Sequence, residues 1–389
     1  EISQNTAKYL LSNSDRTAQF YMLPKIHKSL TNPPGRPITS GNDSPTEKIS
    51  QMIDIILQPF VPKIKSYVKD TNHFISIIND LHIKDTDLLL VTLDVTSLYT
   101  SIPHKDGIEA IRKVIYDSRP RSAMPKNDSI LQILKLVLTC NNFQFNNQNY
   151  LQVNGTAMGT RVAPTYANLF MADFENQHVY TYPLQPLIWA RYIDDCFMPW
   201  THGMEELEKF INHLNSKDPN IQFTYEVSPT SVNFLDTTVR YHIRHGLSIN
   251  LYCKPTDRHT YLHYNSCHPP HIKRSLPYSQ LLRVHRICTK LEDFMINSLS
   301  MVKHFHNRGY PLCDLLTTLR SILQPINRAT TNTDQPQADD QAIQKPPTLY
   351  LITTYNPSNP PLQKILEKYW PILGRSSGTR YLTQARIIY

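Results

Sequence analysis

The stretch Leu88-Leu-Leu-Val-Thr-Leu93 is almost wholly apolar and ends in a carboxylate, Asp94. A run this short and this continuous suits a β-strand covered on both faces, in the interior of a sheet, with Asp94 at its exit. A second acid site follows the same logic. Asp194-Asp195 comes after Trp189-Ala-Arg-Tyr-Ile193 and before Cys196-Phe-Met198, which reads as strand, acid pair, strand. Neighbouring residues on a strand point to opposite faces, but at the tip of a tight hairpin both carboxylates can reach one place. Acids flanked by buried strands are normally paired, hydrogen-bonded or metal-bound, because desolvating them alone is costly. Three converging carboxylates can hold two divalent cations about 3.5–4 Å apart, an arrangement that drives in-line phosphoryl transfer. Hard Mg²⁺ prefers such oxygen ligands. Taken one at a time, an Asp at a strand end is more often a turn former than a ligand.

Around these acids the chain has a mixed pattern. Residues 1–19 show no periodicity. Pro24 to Pro37, with Lys25, His27, Lys28 and Arg36, reads as a basic strand–turn–strand. Spacing predicts helices at 46–58 (stopped by Pro59), 104–117, 128–139, from Pro164 onward, and about 204–215. A polar, Asn-rich hairpin is expected at 141–154, and strands at 221–227, 232–241 and 247–253. From Pro277 to Gln324 the pattern is helical, interrupted at Arg308-Gly-Tyr-Pro311. Residues 325–347 read as a linker, and a strand at 348–354 and a helix at 361–369 close the chain.

Composition narrows the class. A length of 389 residues with 40% hydrophobic residues suits a folded protein of more than one domain. No apolar run approaches the roughly 18 residues of a membrane span, so no membrane partner is expected. A net charge of +8 favours a polyanionic partner. The six cysteines form no C-x-x-C pair, which suits a reducing, intracellular compartment. There is no G-x-G-x-x-G and no P-loop sequence, which argues against dinucleotide-binding and P-loop enzymes. The chain opens on Glu1 without a signal-peptide pattern and reads as a piece of something longer.

Several motifs occur in a telling order: Phe20-Tyr-Met-Leu-Pro-Lys-Ile-His-Lys28, Pro34-Gly-Arg-Pro-Ile38, Leu93-Asp-Val-Thr-Ser-Leu-Tyr-Thr-Ser-Ile-Pro103, Gly155-Thr-Ala-Met-Gly159, Tyr192-Ile-Asp-Asp195 and Asn233-Phe-Leu-Asp236. Together they resemble the reverse transcriptase of Penelope-like retroelements, a relative of telomerase in its catalytic domain. Cys253-Lys-Pro-Thr256, Ser266-Cys-His-Pro269 and Arg308-Gly-Tyr-Pro311 extend the resemblance to about residue 311.

The resemblance implies an α+β right-hand polymerase. Fingers with an N-terminal segment would occupy 1–86, a palm of antiparallel sheet flanked by helices 87–276, a helical thumb 277–324, the linker 325–347 and a strand–helix extension 348–389. It makes Asp94, Asp194 and Asp195 the catalytic acids and the ligands of two Mg²⁺ ions. Lys25 and Arg36 fall where cations would meet an incoming dNTP, and Arg offers a bidentate fork for phosphate. Tyr99 falls where an aromatic packs under the sugar and excludes a ribose 2′-hydroxyl, a steric rejection. Met158 and Gly159 resemble the turn beneath the templating pair, with Met158 where many reverse transcriptases carry Gln. Phe234-Leu235, on a strand, looks like a primer grip. The implied partners are an RNA template, a DNA primer and dNTPs, and the implied location is the nucleus. The GIY-YIG endonuclease common in this family has no counterpart before Tyr389, so strand synthesis is expected and target cleavage is not encoded here.

Residues 254–290 carry Lys254, Arg258, Lys273, Arg274, Arg283, Arg286 and Lys290 against the single acid Asp257, with Tyr261, Tyr264 and Tyr278 interleaved. Such a stretch fits a primer–template backbone as well as a solvated face. His259, His263, Cys267 and His271 recur every fourth residue, but Pro269 and Pro270 would interrupt the helix needed to align them. Two rivals remain at the level of sequence: a palm polymerase that incorporates ribonucleotides, and a catalytically inactive, element-derived RNA-binding or assembly protein. Oligomeric state is not legible.

Overall fold

The computed structural model describes residues 3–11, 16–26, 28–29, 31–83, 87–323, 348–357, 362–374 and 384–388. The expected linker, 325–347, lies outside them. The chain divides into two compact units, Glu1–Asp257 with Ile287–Asp293, and Arg258–Arg286 with Phe294–Tyr389.

The first unit is built around an antiparallel sheet. Its central strand is the apolar run, β3 (Leu89–Val95). The earlier elements are α1 (Gln4–Leu10), β1 (Ala18–Pro24), β2 (Gly35–Ser40), α2 (Glu47–Leu57) and α3 (Thr71–Asn79). Then come α4 (Leu98–Ser101), α5 (His104–Ser118), α6 (Asn127–Thr139), β4 (Asn142–Phe145), β5 (Gln148–Leu151) and α7 (Ala163–His178). The acid hairpin is β6 (Ala190–Tyr192) and β7 (Asp195–Trp200). After it follow α8 (Gly203–Asn215), β8 (Phe223–Ser228), β9 (Ser231–Phe234), β10 (Thr237–His242) and β11 (Gly246–Leu251). The strand order of the main sheet is β6-β7-β3-β8; β2-β1-β4-β5 and β11-β10-β9 form two further sheets.

Why β3 and β7 read as continuous apolar runs is visible in the packing. On one face Val91, Leu93, Val95, Cys196, Met198 and Trp200 join a core with residues of α2, α5, α6, α7 and α8. On the other face Phe197 meets Phe74 of α3 and Phe234 of β9, with ring centroids 5.1 and 5.8 Å away. Leu90, Val91, Leu93 and Val95 are buried, while Thr92 and Asp94, on one face of β3, are partly exposed.

Three differences from the sequence expectations have local causes. Residues 4–10 form α1, whose N-cap Ser3 accepts a hydrogen bond from the Thr6 amide; the apolar periodicity that would signal a helix is missing because α1 buries no residue. The strand expected at 232–241 is two strands, β9 and β10, folded back on each other at Leu235-Asp236, where Leu235 takes φ 53°. Leu235 is therefore a turn residue and not a strand residue. The helix expected from Pro277 starts earlier and also breaks after Ile287, ahead of the expected interruption at 308–311. Pro270 opens α9 (Pro270–Ile287), where its missing N–H costs nothing. Thr289 then leaves the helix to bond β11, its amide donating to the Ile249 carbonyl at 3.0 Å.

In the second unit, α9 is followed by α10 (Leu291–Asn307, whose first turn belongs to the first unit), α11 (Leu312–Leu323), β12 (Thr348–Ile352), α12 (Leu362–Gly374) and β13 (Gln384–Ile388), a strand the sequence did not signal. β12 and β13 pair in parallel. The segment before Pro270 is irregular, so His259, His263 and Cys267 share no helical face with His271. No helix among the described residues is long and apolar enough to cross a membrane.

Candidate active site

Strand register brings the three acids together. Asp94 on β3 and Asp195 on β7 are directly opposed partners, and Asp194 occupies the hairpin tip one residue earlier. Opposed residues of an antiparallel pair have Cβ atoms about 4.5–5.5 Å apart, and like charges there repel. The tip is a two-residue turn between the partners Tyr192 and Asp195. Its first residue, Ile193, takes φ 58°, a place commonly given to glycine. For a β-branched residue this conformation costs of order 1–3 kcal/mol and persists only where the surroundings fix it.

The electrostatics follow from burial and crowding. Desolvation first, then Asp194 and Asp94, push the Asp195 carboxyl up to about 6, against the pull of Lys254. Asp194 is raised too, chiefly by burial and then by Asp94, while Arg36 and Lys25 work in the opposite direction. None of the three acids forms an ion pair with a cation among the described residues. Half-buried, mutually repelling carboxylates of this kind are a donor set that divalent cations satisfy, so the residues fit a divalent-cation site.

Asp94 and Asp195 open onto a cavity of about 850 Å³, lined also by Thr92 and Thr224 and by Thr71, Asn233, Phe234, Leu235, Tyr252 and Lys254. Lys28 also reaches it. Tyr99 stands close by. Ser97 turns the chain through φ 52° just after β3, and the short α4 carries Tyr99 back toward the acids. Burial first, then Asp194 and Tyr192, raise the Tyr99 phenol to about 12, so it is neutral.

Two glycines clamp the neighbouring loop. Gly155 has φ 66° and a side chain there would strike the Tyr99 carbonyl, to which the Thr156 amide donates at 2.6 Å. Gly159 has φ 132°, and a Cβ would strike the Thr39 carbonyl, while the Thr39 amide donates to the Met158 carbonyl at 2.9 Å. The Gly155–Gly159 loop is thereby fastened to α4 on one side and to β2, the strand carrying Arg36, on the other.

The structure thus gathers Asp94, Asp194, Asp195, Tyr99, Lys254, Phe234 and Leu235 around one cavity or its acids, with Lys25 and Arg36 acting on Asp194 and Met158-Gly159 bound to β2. Lys273, Arg274 and Arg283 lie on α9 in the second unit. There, one expectation needs correction. Tyr261 and Tyr264 do not stand free between the basic residues: they stack on Phe305 at 4.4 Å and meet Tyr310 edge-on at 5.2 Å. The Arg308 guanidinium donates to the Tyr261 carbonyl at 2.7 Å, which accounts for the Arg308-Gly-Tyr-Pro311 sequence as a packing motif. Of the three tyrosines, Tyr278 alone is exposed. Sequence reading also passed over Arg191 and Glu175, because a charged residue inside an apolar run carries no signal of its partner.

Residues 36–241, more than half of the chain, match the family "Reverse transcriptase (RNA-dependent DNA polymerase)". The chain belongs to this family. Its matched segment holds the three acids, Tyr99 and the Gly155–Gly159 loop, and such polymerases work with divalent metal ions. Residues 260–320 match the family "Animal helix-turn-helix domain", covering α9, α10 and most of α11. No curated protein matches the chain in sequence. Among solved structures, telomerase from Candida albicans, in complex with a fragment of telomeric RNA, is 10% identical with a TM-score of 0.57, covering 81% of this chain and 60% of its own. An RNA-dependent RNA polymerase of a human picobirnavirus is 10% identical with a TM-score of 0.53, covering 79% and 61%. At this identity the likeness is one of fold: the chain has the α+β right-hand fold of these polymerases. It spans 53% to 60% of the length of the telomerase chains it matches.

Proposed function

We propose that this reverse-transcriptase-family chain is the RNA-directed DNA polymerase of a Penelope-like retroelement, acting in the nucleus. The observation that carries the reading is the register of Asp94 against Asp195 with Asp194 at the adjoining tip, beside Tyr99. In this reading the fingers occupy 1–86, the palm 87–276 and the thumb 277–324. The order and spacing of its motifs support the Penelope-like assignment.

The residues would divide the work as follows. The three carboxylates would hold two Mg²⁺ ions, which when bound would lower the pKa of the primer 3′-hydroxyl and neutralise the departing pyrophosphate. Lys25 and Arg36, whose charges already act on Asp194, bind the triphosphate. The neutral Tyr99 ring bears on the sugar and rejects a 2′-hydroxyl. Phe234 and Leu235, on the cavity wall, and Lys254, beside Asp195, hold the primer end. Met158 and Gly159 support the templating pair through β2. Little covalent chemistry falls to the protein, so positioning and electrostatics do most of the catalysis.

The test is primer extension on an RNA template with dNTPs and Mg²⁺. Wild type should extend, and Asp194→Asn should lose extension while its affinity for primer–template stays within about twofold, since it removes a metal ligand and no phosphate contact. Parallel loss of binding and extension would refute the role given to Asp194. Incorporation of NTPs in place of dNTPs would move the assignment to an RNA polymerase.

A further inference from the structure

We propose that Arg191 is the positioning residue of the acid hairpin: held by Glu175, its guanidinium grips the Ile193 carbonyl and sets the direction in which Asp194 points. The inference rests on the polymerase reading above and adds to it a residue that does not touch substrate.

Arg191 and Glu175 are both 1% exposed at the side chain. A buried ion pair is a poor route to stability, since apolar side chains of the same volume often do as well. What an arginine offers instead is a rigid fork of donors that can fix several acceptors at once. Here the fork is fully spent. Nε donates to Glu175 Oε1 at 2.6 Å, Nη1 to Asn168 Oδ1 at 2.9 Å and to the Ile193 carbonyl at 3.1 Å, and Nη2 to the Asn168 carbonyl at 3.2 Å. Glu175 is fixed in turn by Trp189 Nε1 at 2.8 Å and Ser66 Oγ at 2.6 Å. The Arg191 backbone is tied as well, its amide donating to the Ser66 carbonyl and its carbonyl accepting from the Val68 amide.

The consequence lies three residues on. The Ile193 carbonyl belongs to the peptide plane before Asp194, and Arg191 holds it. The Asp194 carbonyl belongs to the plane after it, and the Val95 amide, next to Asp94, holds that one at 3.0 Å. With both planes pinned, the Cα–Cβ direction of Asp194 is determined. The strained φ of Ile193 is the conformation that these bonds enforce.

Arg191→Lys keeps the charge balance with Glu175 and loses the fork. In the 389-residue chain, the expected result is a folded protein whose kcat falls about 100-fold. Mn²⁺ affinity, read from the free-ion electron paramagnetic resonance signal without nucleotide, should fall about tenfold. The KM for dNTP should stay within about twofold, and the Val95 amide should exchange faster with deuterium. A purely structural role would leave Mn²⁺ affinity and Val95 exchange unmoved wherever the protein is folded. If Arg191→Lys does not fold, the double variant Arg191→Met with Glu175→Gln decides, because it removes both charges at similar volume. The same losses in a folded double variant support the proposal; a double variant that also fails to fold assigns the network to stability and overturns it. Asp194→Asn is run beside them. If it extends primers normally, the acid assignment fails; if it is inactive while Arg191→Lys matches wild type in kcat, Mn²⁺ affinity and exchange, the positioning role alone fails.

Discussion

At the scale of single residues, the acids are poised against the fold that presents them. An Asp in an unfolded chain titrates near 3.9, while Asp195 sits at about 6. The folded protein therefore holds that proton more tightly, and stability falls as pH rises through the window from about 4 to about 6. In EDTA, Asp195→Asn should accordingly be more stable than wild type at pH 8, by about 1–2 kcal/mol once solvent screening is allowed for. The difference should vanish below about pH 4, where both side chains are neutral. Thermal melts of the two proteins across that range check both halves of the prediction. Tyr99 gives a second test. Its ring is half-buried and its hydroxyl stays neutral, so the part proposed for it in substrate choice would be steric. Tyr99→Ala should raise NTP incorporation relative to dNTP by about 10- to 100-fold, measured as the ratio of kcat/KM values. An unchanged ratio would separate Tyr99 from sugar selection.

At the scale of elements, what was legible is what repeats. The periodic stretches of α2, α5, α6 and α8 announce themselves because each buries a stripe of apolar residues. β3 and the acid hairpin were legible because most of β3 and β7 is buried, which leaves near-continuous apolar runs with acids at their ends. Other features depend on single contacts and leave no period. Leu235 folds a strand back on itself, and Thr289 ends a helix by bonding β11. The Arg191–Glu175 pair joins residues sixteen apart in sequence through a geometry that only the fold creates. Gly159 lies between these cases: the sequence marks a glycine, and the structure shows what it allows. A methyl group there would meet the Thr39 carbonyl, at a φ that side chains avoid. Gly159→Ala should therefore shift β2 and with it Arg36. The expected outcome is a loss of about 1–3 kcal/mol in stability, read by urea denaturation. The KM for dNTP should rise beyond what the lost folded fraction explains.

At the scale of the whole molecule, the net charge of +8 suits a polyanionic partner, and its uneven distribution makes that suitability testable. Residues 254–290 hold a single acid, and the helix-turn-helix match overlaps most of the stretch. Two neighbouring cations on α9 differ in their surroundings. Lys273 donates to the Ser266 carbonyl at 3.2 Å and sits 5.6 Å from the Tyr264 ring centre, so it already serves its own unit. Arg274 is exposed. If the stretch tracks a primer–template backbone, the affinity of wild type should fall linearly with salt on logarithmic axes, and Arg274→Gln should lower the slope by about 0.7–0.9, one phosphate contact. Lys273→Gln should instead lower the melting temperature with a smaller change in slope. Fluorescence anisotropy at several salt concentrations, with an RNA–DNA duplex carrying a recessed primer, reads the slopes directly. A wild-type affinity that ignores salt would mean that the charge on this stretch is a solvated surface, and that the duplex is held by the acid-lined cavity and its neighbours alone.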